Sequence, residues 1–460
     1  MMAPPAVRVS HDAASMTAVT AMTAGDLAAA VGEARQRTLD LVHDLSDEQL
    51  LGPRLAIVNP LLWEIGHVAW FQEKWVLRHA GKEEPIRADG DRLYDSEKIP
   101  HDVRWDLPLP VRAETLAYLR EIRDRVLDRL ARGLVSKEAA YFVLLSVLHE
   151  DMHTEAFTYT RQTLEYPPPR FSEDGSGRGM AAGVAAGGGT LAGDAAVPGG
   201  LFLLGATSDL PFVFDNEKWA HPVELADFSI ARAPVTQSEF AEFVSDGGYG
   251  RASLWTPQGW QWRERVGAEH PVYWRRTPDG DRGGWHRRDF DRWVALEPHR
   301  PVIHVNWYEA DAYCRWAGRR LPDEAEWEAA AAGEPGGDGL LAERKRRFPW
   351  GDDPPTPALA NLDWRSGGCL EVGALAAGDS AFGCRQMIGN VWEWTASDFL
   401  PYPGFVADPY KAYSEPWFGD HKVLRGGCWT TRSLLIRNTW RNFYTPDRRD
   451  VWAGFRTCAR

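Results

Sequence analysis

The stretch Leu144-Leu145-Ser146-Val147-Leu148-His149-Glu150-Asp151-Met152-His153 carries the reading of the whole chain. It lies in a run from Ala139 to Thr160 that holds no Gly or Pro and is predicted as helix. Two histidines four positions apart on a helix leave the same face about one turn apart, so both imidazoles can reach one metal ion. The segment also fits the H-E-x-x-H pattern of zinc peptidases, with Glu150 as general base. A peptidase needs a third ligand downstream, and Thr154-Glu155-Ala156-Phe157-Thr158-Tyr159-Thr160 contains no histidine. Glu155 and Glu165 are carboxylates in reach along the chain, without motif support. A peptidase, another helical metal site and a purely structural helix all stay open at this point.

A third imidazole lies upstream. His67 sits in Asn59-Pro60-Leu61-Leu62-Trp63-Glu64-Ile65-Gly66-His67-Val68-Ala69-Trp70. Asn59 is the N-cap candidate and Pro60 suits the first helical position. Gly66 leaves room for another helix or a ligand to approach. Three neutral imidazoles and no thiolate leave coordination positions open, which suits a catalytic Fe(II) or Zn(II) site.

Helical spacing extends through the N-terminal part. Helices are predicted over Asp26–Leu45, Leu61–His79, Ala113–Arg132 and Ser136–Tyr166, stopped by Pro167-Pro168-Pro169. Four such helices point to a bundle, whose metal sites are built from inward-facing side chains. Gly175 to Gly200 is rich in Gly and Ala and reads as a flexible linker or insertion. From Leu201 short apolar runs alternate with Gly, Pro, Asp and Trp. Helical patches are predicted at Gln237–Ser245, Trp307–Ala317 and Asp323–Ala332. The expected organisation is a disordered leader (1–22), a helical bundle (23–168), a linker (169–200) and an α+β domain with much irregular structure (201–460).

Composition narrows the function. The chain has 460 residues, 25% charged and 44% hydrophobic, room for two or three domains. A net charge of −13 argues against a nucleic-acid partner, and the basic run Arg344-Lys345-Arg346-Arg347 reads as solvated surface. No run approaches a membrane span. Five scattered cysteines without a C-x-x-C spacing suggest reduced thiols in a cytoplasmic protein. The 22 tryptophans, most of them after residue 250, point to a second domain held by aromatic packing.

These blocks together resemble the iron-dependent hercynine sulfoxide synthase family, the enzymes of ergothioneine-type biosynthesis. The resemblance rests on Pro60 to His67, His149-x-x-x-His153, and Tyr94-Asp95-Ser96 through His101-Asp102-Val103-Arg104-Trp105 to Pro110. It extends to Arg319 to Glu328, Gly389-Asn390-Val391-Trp392-Glu393-Trp394-Thr395, Val423 to Trp429 and Ala453-Gly454-Phe455-Arg456. It implies an α+β protein: a DinB-like four-helix bundle joined to a formylglycine-generating-enzyme-like, C-type-lectin-related domain. It implies Fe(II) held by His67, His149 and His153, with O2 and hercynine as substrates and no nucleic-acid or membrane partner. Bond formation from a chalcogen to imidazole C2 is the implied reaction. Asp408-Pro409-Tyr410-Lys411-Ala412-Tyr413 matches the loop of the family's catalytic tyrosine, which makes Tyr410 the catalytic candidate and Tyr413 its pocket neighbour. Arg441-Asn442-Phe443-Tyr444 matches the substrate loop. There Asn442 would hold the hercynine carboxylate and Phe443 would pack near the trimethylammonium.

The chain also departs from the best-known members, which grip γ-glutamylcysteine with two arginines and an aspartate. The matching positions here are His101, Arg104 and Tyr444, so one positive and one negative charge are lost. A zwitterionic donor would lose both partners, whereas a sugar-like donor would not miss them. The closing stretch Asn438 to Asp450 is most similar to the selenoneine synthase branch, which implies a selenosugar donor. Cysteine or γ-glutamylcysteine, giving a sulfoxide, is the alternative. Two other classes are a zinc hydrolase using the H-E-x-x-H helix and a catalytically dead betaine-binding module. The formylglycine-generating oxidase needs a cysteine pair after its Gly-Gly block, and Thr430-Thr431-Arg432-Ser433-Leu434-Leu435 has none.

Overall fold

The computed structural model describes residues 22–133, 136–171, 188–210, 212–277 and 284–460. The expected leader, apart from its last residue, and residues 172–187 of the expected linker lie outside them. The chain divides into two compact units. The first holds residues up to Thr38, Ser46–Glu150 and Ala206–Phe214; the second holds Leu39–Leu45, Asp151–Gly205 and Asp215–Arg460.

The first unit is helical. Its long helices are α1 (Ala24–Asp40), α3 (Leu61–Gln72), α5 (Arg112–Ala131) and the first half of α6 (Lys137–Thr163), whose residues from Asp151 on belong to the second unit, with short α2 (Asp47–Leu51) and α4 (Gly90–Tyr94) between them. Apolar stripes at helical spacing form the core: Leu27 and Val31, then Ile65 and Val68, then Leu119, Ile122 and Val126, then Leu144 and Val147, all buried. The expected second helix changes pitch, continuing beyond Gln72 as a π-helical segment Glu73–Ala80. Its start also differs from expectation. Pro60 occupies the cap position. Asn59 instead donates from Nδ2 to Glu64 Oε1 (2.8 Å) and accepts from Arg104 Nη1 (2.7 Å). The run Ala206–Phe214 joins this unit through Phe212, whose ring stacks on Tyr141 at 5.4 Å.

One buried charge pair links four of these segments. Arg35 Nε donates to Glu150 Oε1 (2.8 Å) and Nη2 to Oε2 (3.1 Å), and Thr38 Oγ1 donates to Oε1 (2.7 Å). The same guanidinium reaches Gln72 Oε1 (3.2 Å) and the Leu119 carbonyl.

The second unit is built from small sheets. Strands β1 (Asp194–Val197) and β4 (Phe228–Ala231) pair, as do β2 (Gly200–Leu204) and β3 (His221–Leu225). Strands β5 (Trp274–Arg276), β6 (Trp285–Asp289) and β7 (Arg292–Ala295) form a meander. A four-stranded sheet runs β10 (Asn442–Tyr444), β9 (Lys422–Arg425), β8 (Trp392–Asp398), β11 (Ala453–Gly454). Helices α7 (Gln237–Ser245), α9 (Trp307–Trp316) and α10 (Glu324–Ala332) each start at a reciprocal capping box: Thr236 with Glu239, Asn306 with Glu309, Asp323 with Glu326. A further helix, α8 (Pro257–Val266), was not expected from the sequence.

Two expectations are corrected here. The segment 194–200 is not linker: Asp194 to Val197 pair residue for residue with Ala231 to Phe228. Gly and Ala disguise a strand whose Ala195 and Val197 point into a core with Trp327 and Ile230. Lys345 is not solvated surface either. Its side chain is 10% exposed and its ammonium binds buried Glu328. A lone basic residue can be drawn inward where a buried carboxylate needs a partner. All five cysteines are buried thiols. Among the described residues, no helix is long and apolar enough to cross a membrane.

Arg35→Leu would leave Glu150 buried without its cation and is expected to cost about 3–5 kcal/mol. Urea unfolding followed by circular dichroism measures it; a midpoint within error of wild type would refute the role given to this pair.

Candidate metal centre and substrate loops

His67 lies on α3, inside an apolar run that keeps it almost fully buried. Its Nδ1–H donates to the Tyr94 carbonyl at 2.8 Å, which fixes the tautomer and leaves Nε2 as the ligand atom. Trp63 stacks on the imidazole at 4.8 Å, nearly parallel. His149 is equally buried on α6, with Phe71 stacked on it at 3.6 Å. The rings of His67 and His149 are 5.1 Å apart. His153 follows one turn later. One ligand atom from each of His67, His149 and His153 lies within 4.8 Å of the other two. Three imidazoles and no carboxylate or thiolate fit a divalent first-row metal with positions left open.

Gly66 is needed for this arrangement. A Cβ there would sit 2.3 Å from the Tyr94 ring, so glycine lets Tyr94 close over α3 and deliver its carbonyl to His67. The room that Gly66 leaves is therefore taken by Tyr94. Burial pushes the Tyr94 hydroxyl up to about 12, so it stays neutral.

The carboxylates offered for peptidase chemistry are engaged elsewhere. Glu150 is locked to Arg35 and Thr38. Glu155 accepts from Trp392 Nε1 (2.6 Å) and Thr431 Oγ1 (2.7 Å), and burial raises its pKa against those bonds. Glu165 pairs with Arg288 at 2.6 Å. All three candidate carboxylates are thus engaged in other bonds, which takes the general base away from the peptidase reading.

His101 and Arg104 flank α3 and are half-buried. His101 Nε2–H donates to the Val58 carbonyl at 2.7 Å. The Arg104 guanidinium lies 4.0 Å over the Trp63 ring, the ring that stacks on His67. Desolvation lowers the pKa of Arg104, opposed by nearby Glu64.

The candidate tyrosine and substrate loops belong to the second unit. Tyr410 is half-buried, just before a 3₁₀ turn Lys411–Tyr413. The Tyr413 hydroxyl accepts from Trp440 Nε1 (3.1 Å), and its ring lies 5.3 Å from Phe443. Burial pushes that hydroxyl well above its usual range. Strand alternation on β10 puts Asn442 and Tyr444 on one face and Phe443 on the other. Phe443 stacks on Phe399 at 4.0 Å in a cluster with Val423. The structure thus joins Phe443 to Tyr413 and the core, and separates it from Asn442. Asn442 Oδ1 accepts from its neighbour's N–H at 2.8 Å. Tyr444 lies under the Arg448 guanidinium at 5.3 Å, and burial raises its pKa.

Sequence reasoning missed the parts that orient the histidines. Trp63 and Phe71, four positions either side of His67, were visible as helical neighbours. The Tyr94 carbonyl was not, because a backbone group has no sequence signal.

The fold and site define a two-domain protein with a helical tri-histidine centre and a sulfatase-modifying-factor-like second domain. Residues 30–155 match the DinB superfamily model, and residues 185–460 match the sulfatase-modifying factor enzyme 1-like domain. The chain is 38% identical over 435 residues to the hercynine oxygenase of Mycolicibacterium smegmatis, covering 92% of this chain and 96% of that one. It is 37% identical over 448 residues to the hercynine oxygenase of Mycobacterium tuberculosis, covering 94% and 97%. The formylglycine-generating enzyme of Streptomyces coelicolor is 31% identical over 302 residues, covering 58% of this chain and 88% of its own length. The chain belongs to the hercynine oxygenase family, whose architecture is ergothioneine-synthase-like.

Gly66→Ala is expected to displace Tyr94 and weaken metal binding about 10–100-fold, the usual effect of losing a ligand's outer hydrogen bond. Anaerobic titration with Fe(II) or Co(II) checks it; unchanged affinity with an unchanged helical spectrum would refute it.

Proposed function

We propose that this chain uses Fe(II) and O2 to join a chalcogen donor to imidazole C2 of hercynine, with a selenosugar as donor. The observation that carries the reading is the convergence of His67, His149 and His153, with His67 aligned by Tyr94. Ferrous iron in this site would supply the one-electron chemistry that O2 requires.

The chain's own residues do the rest. Trp63 and Phe71 hold the imidazoles in place by stacking. Tyr410 is the proton donor at its hydroxyl. Asn442 binds the hercynine carboxylate, and Phe443 acts by backing Tyr413 from the apolar side. Holding both substrates in one geometry removes much of the entropic barrier.

The donor choice follows from charge. His101 is committed to a backbone carbonyl, and Arg104 to Asn59 and the face of Trp63. Neither stands ready to grip a donor carboxylate. Tyr444, kept neutral by burial, replaces an acidic partner with a hydroxyl. Neutral hydrogen-bonding groups suit a sugar better than an amino acid. The cytoplasm is the proposed compartment.

The deciding experiment is a competition. Iron-loaded protein receives hercynine, air and equimolar 1-selenoglucose, cysteine and γ-glutamylcysteine, and products are read by mass spectrometry. A product with the selenium isotope pattern is expected. A sulfur product alone would overturn the donor; no product from any donor would overturn the reaction. Tyr410→Phe is expected to lower kcat about 100-fold or more with iron content unchanged, as for loss of a general acid. Wild-type kcat in that variant would remove Tyr410 from the mechanism.

A further inference from the structure

The buried 3₁₀ turn Asp215–Glu217, with Lys218 after it, binds two functional segments of the second unit at once. On one side it holds the loop that carries Tyr410. Asp215 Oδ2 accepts from the Asp408 N–H (3.1 Å) and from Ser414 Oγ (2.8 Å), so one carboxylate oxygen ties both ends of the loop. Lys218 Nζ donates to both carboxylate oxygens of Asp408 at 2.7 Å. Asn216 Nδ2 donates to the Tyr413 carbonyl at 3.3 Å. On the other side the same turn holds the chain leading into β10. Glu217 accepts from Arg437 Nε (2.9 Å) and Thr439 Oγ1 (2.8 Å), and the Asn216 carbonyl accepts from Arg441 Nη1 (2.8 Å).

We propose that this turn is a clasp that sets Tyr410 against the Asn442–Tyr444 strand, with Asp215 as its positioning residue. The inference rests on the role given to Tyr410 above. A loop whose regular structure is limited to short 3₁₀ turns keeps conformational freedom unless side chains anchor it, and a reacting hydroxyl misplaced by an ångström loses much of its rate. Anchoring both ends on one buried acceptor removes most of that freedom. Burial pushes the Asp215 carboxyl up to about 6. Asp408 pushes it the same way, while Ser414, the Asp408 N–H and Lys218 oppose both. Because its folded pKa lies above the unfolded value, the ionised group opposes folding increasingly as pH rises from the unfolded pKa to about 6. The cost of burying this carboxylate is offset by the bonds it accepts from both ends of the loop.

The test uses full-length iron-loaded protein with Asp215→Ala and Asp215→Asn. Steady-state kinetics are run with hercynine and whichever donor turns over, and hydrogen–deuterium exchange is followed peptide by peptide. Asp215→Ala is expected to lower kcat about 10–100-fold with KM for hercynine and iron content unchanged, while Asp215→Asn, which keeps an acceptor oxygen, stays within about threefold of wild type. Faster exchange in Asp215→Ala is expected between residues 405 and 418 alone. Unchanged kcat and exchange would overturn the clasp, as would faster exchange spread through the whole unit. If wild-type protein makes no hercynine product, the functional reading fails separately. Exchange then decides: a local gain sustains the clasp as an anchor of this loop, and no gain overturns it.

Discussion

The buried pair of Arg35 and Glu150 is the constraint on which the histidine-bearing helix depends. A lone buried carboxylate costs several kcal/mol, so Glu150 must face its cation. That requirement fixes the rotation of α6 about its axis. Successive side chains on a helix are separated by about 100°, so a Glu150 aimed at α1 turns His149 well away from it. His149 meets Phe71 and His67 on α3 as a result. Arg35 adds Gln72 and the Leu119 carbonyl, so α1, α3, α5 and α6 share one guanidinium. The glutamate of an H-E-x-x-H helix serves here to aim the histidines, with its own oxygens fully occupied.

The second unit repeats the device. Arg456 holds Glu393 through Nε and Nη2 (2.6 and 2.7 Å), and Trp327 donates to the same carboxylate at 2.7 Å. Arg425 and Arg441 share Glu324, and Arg437 binds Glu217. Short strands cannot bury enough apolar surface to define their own positions, and these directional pairs make up the difference. The blocks around Trp392-Glu393-Trp394 therefore act as scaffold. Trp394 donates to the Val305 carbonyl, and Asn390, at a positive φ of 69°, accepts from the Leu370 N–H. The reacting groups of the proposed reaction sit instead on loops that such scaffolds position.

Helices were legible because their periodicity and caps are local. The capping boxes at Thr236, Asn306 and Asp323 mark starts that the sequence shows directly. The strand Asp194–Val197 was not legible, because Ala and Val between glycines resemble a linker until Phe228–Ala231 is placed beside them. Lys345 looked like surface for the same reason: its partner Glu328 is 17 residues away in the chain. The stacking of Phe443 on Phe399 was not legible either, because the two rings are brought together only by strand pairing.

Sequence alone determined the class of protein, the three imidazoles and the two-part architecture. Each is a matter of residue type, spacing along one helix or a block of matching residues. Tertiary structure decided what orients those groups: the Tyr94 carbonyl behind His67, Arg35 on Glu150, and Asp215 beneath the Tyr410 loop. These are hydrogen bonds between residues far apart in the chain, and one of them comes from the backbone. Their partners are chosen by which buried polar groups the packed chain leaves facing each other, a choice that exists only once the fold has formed.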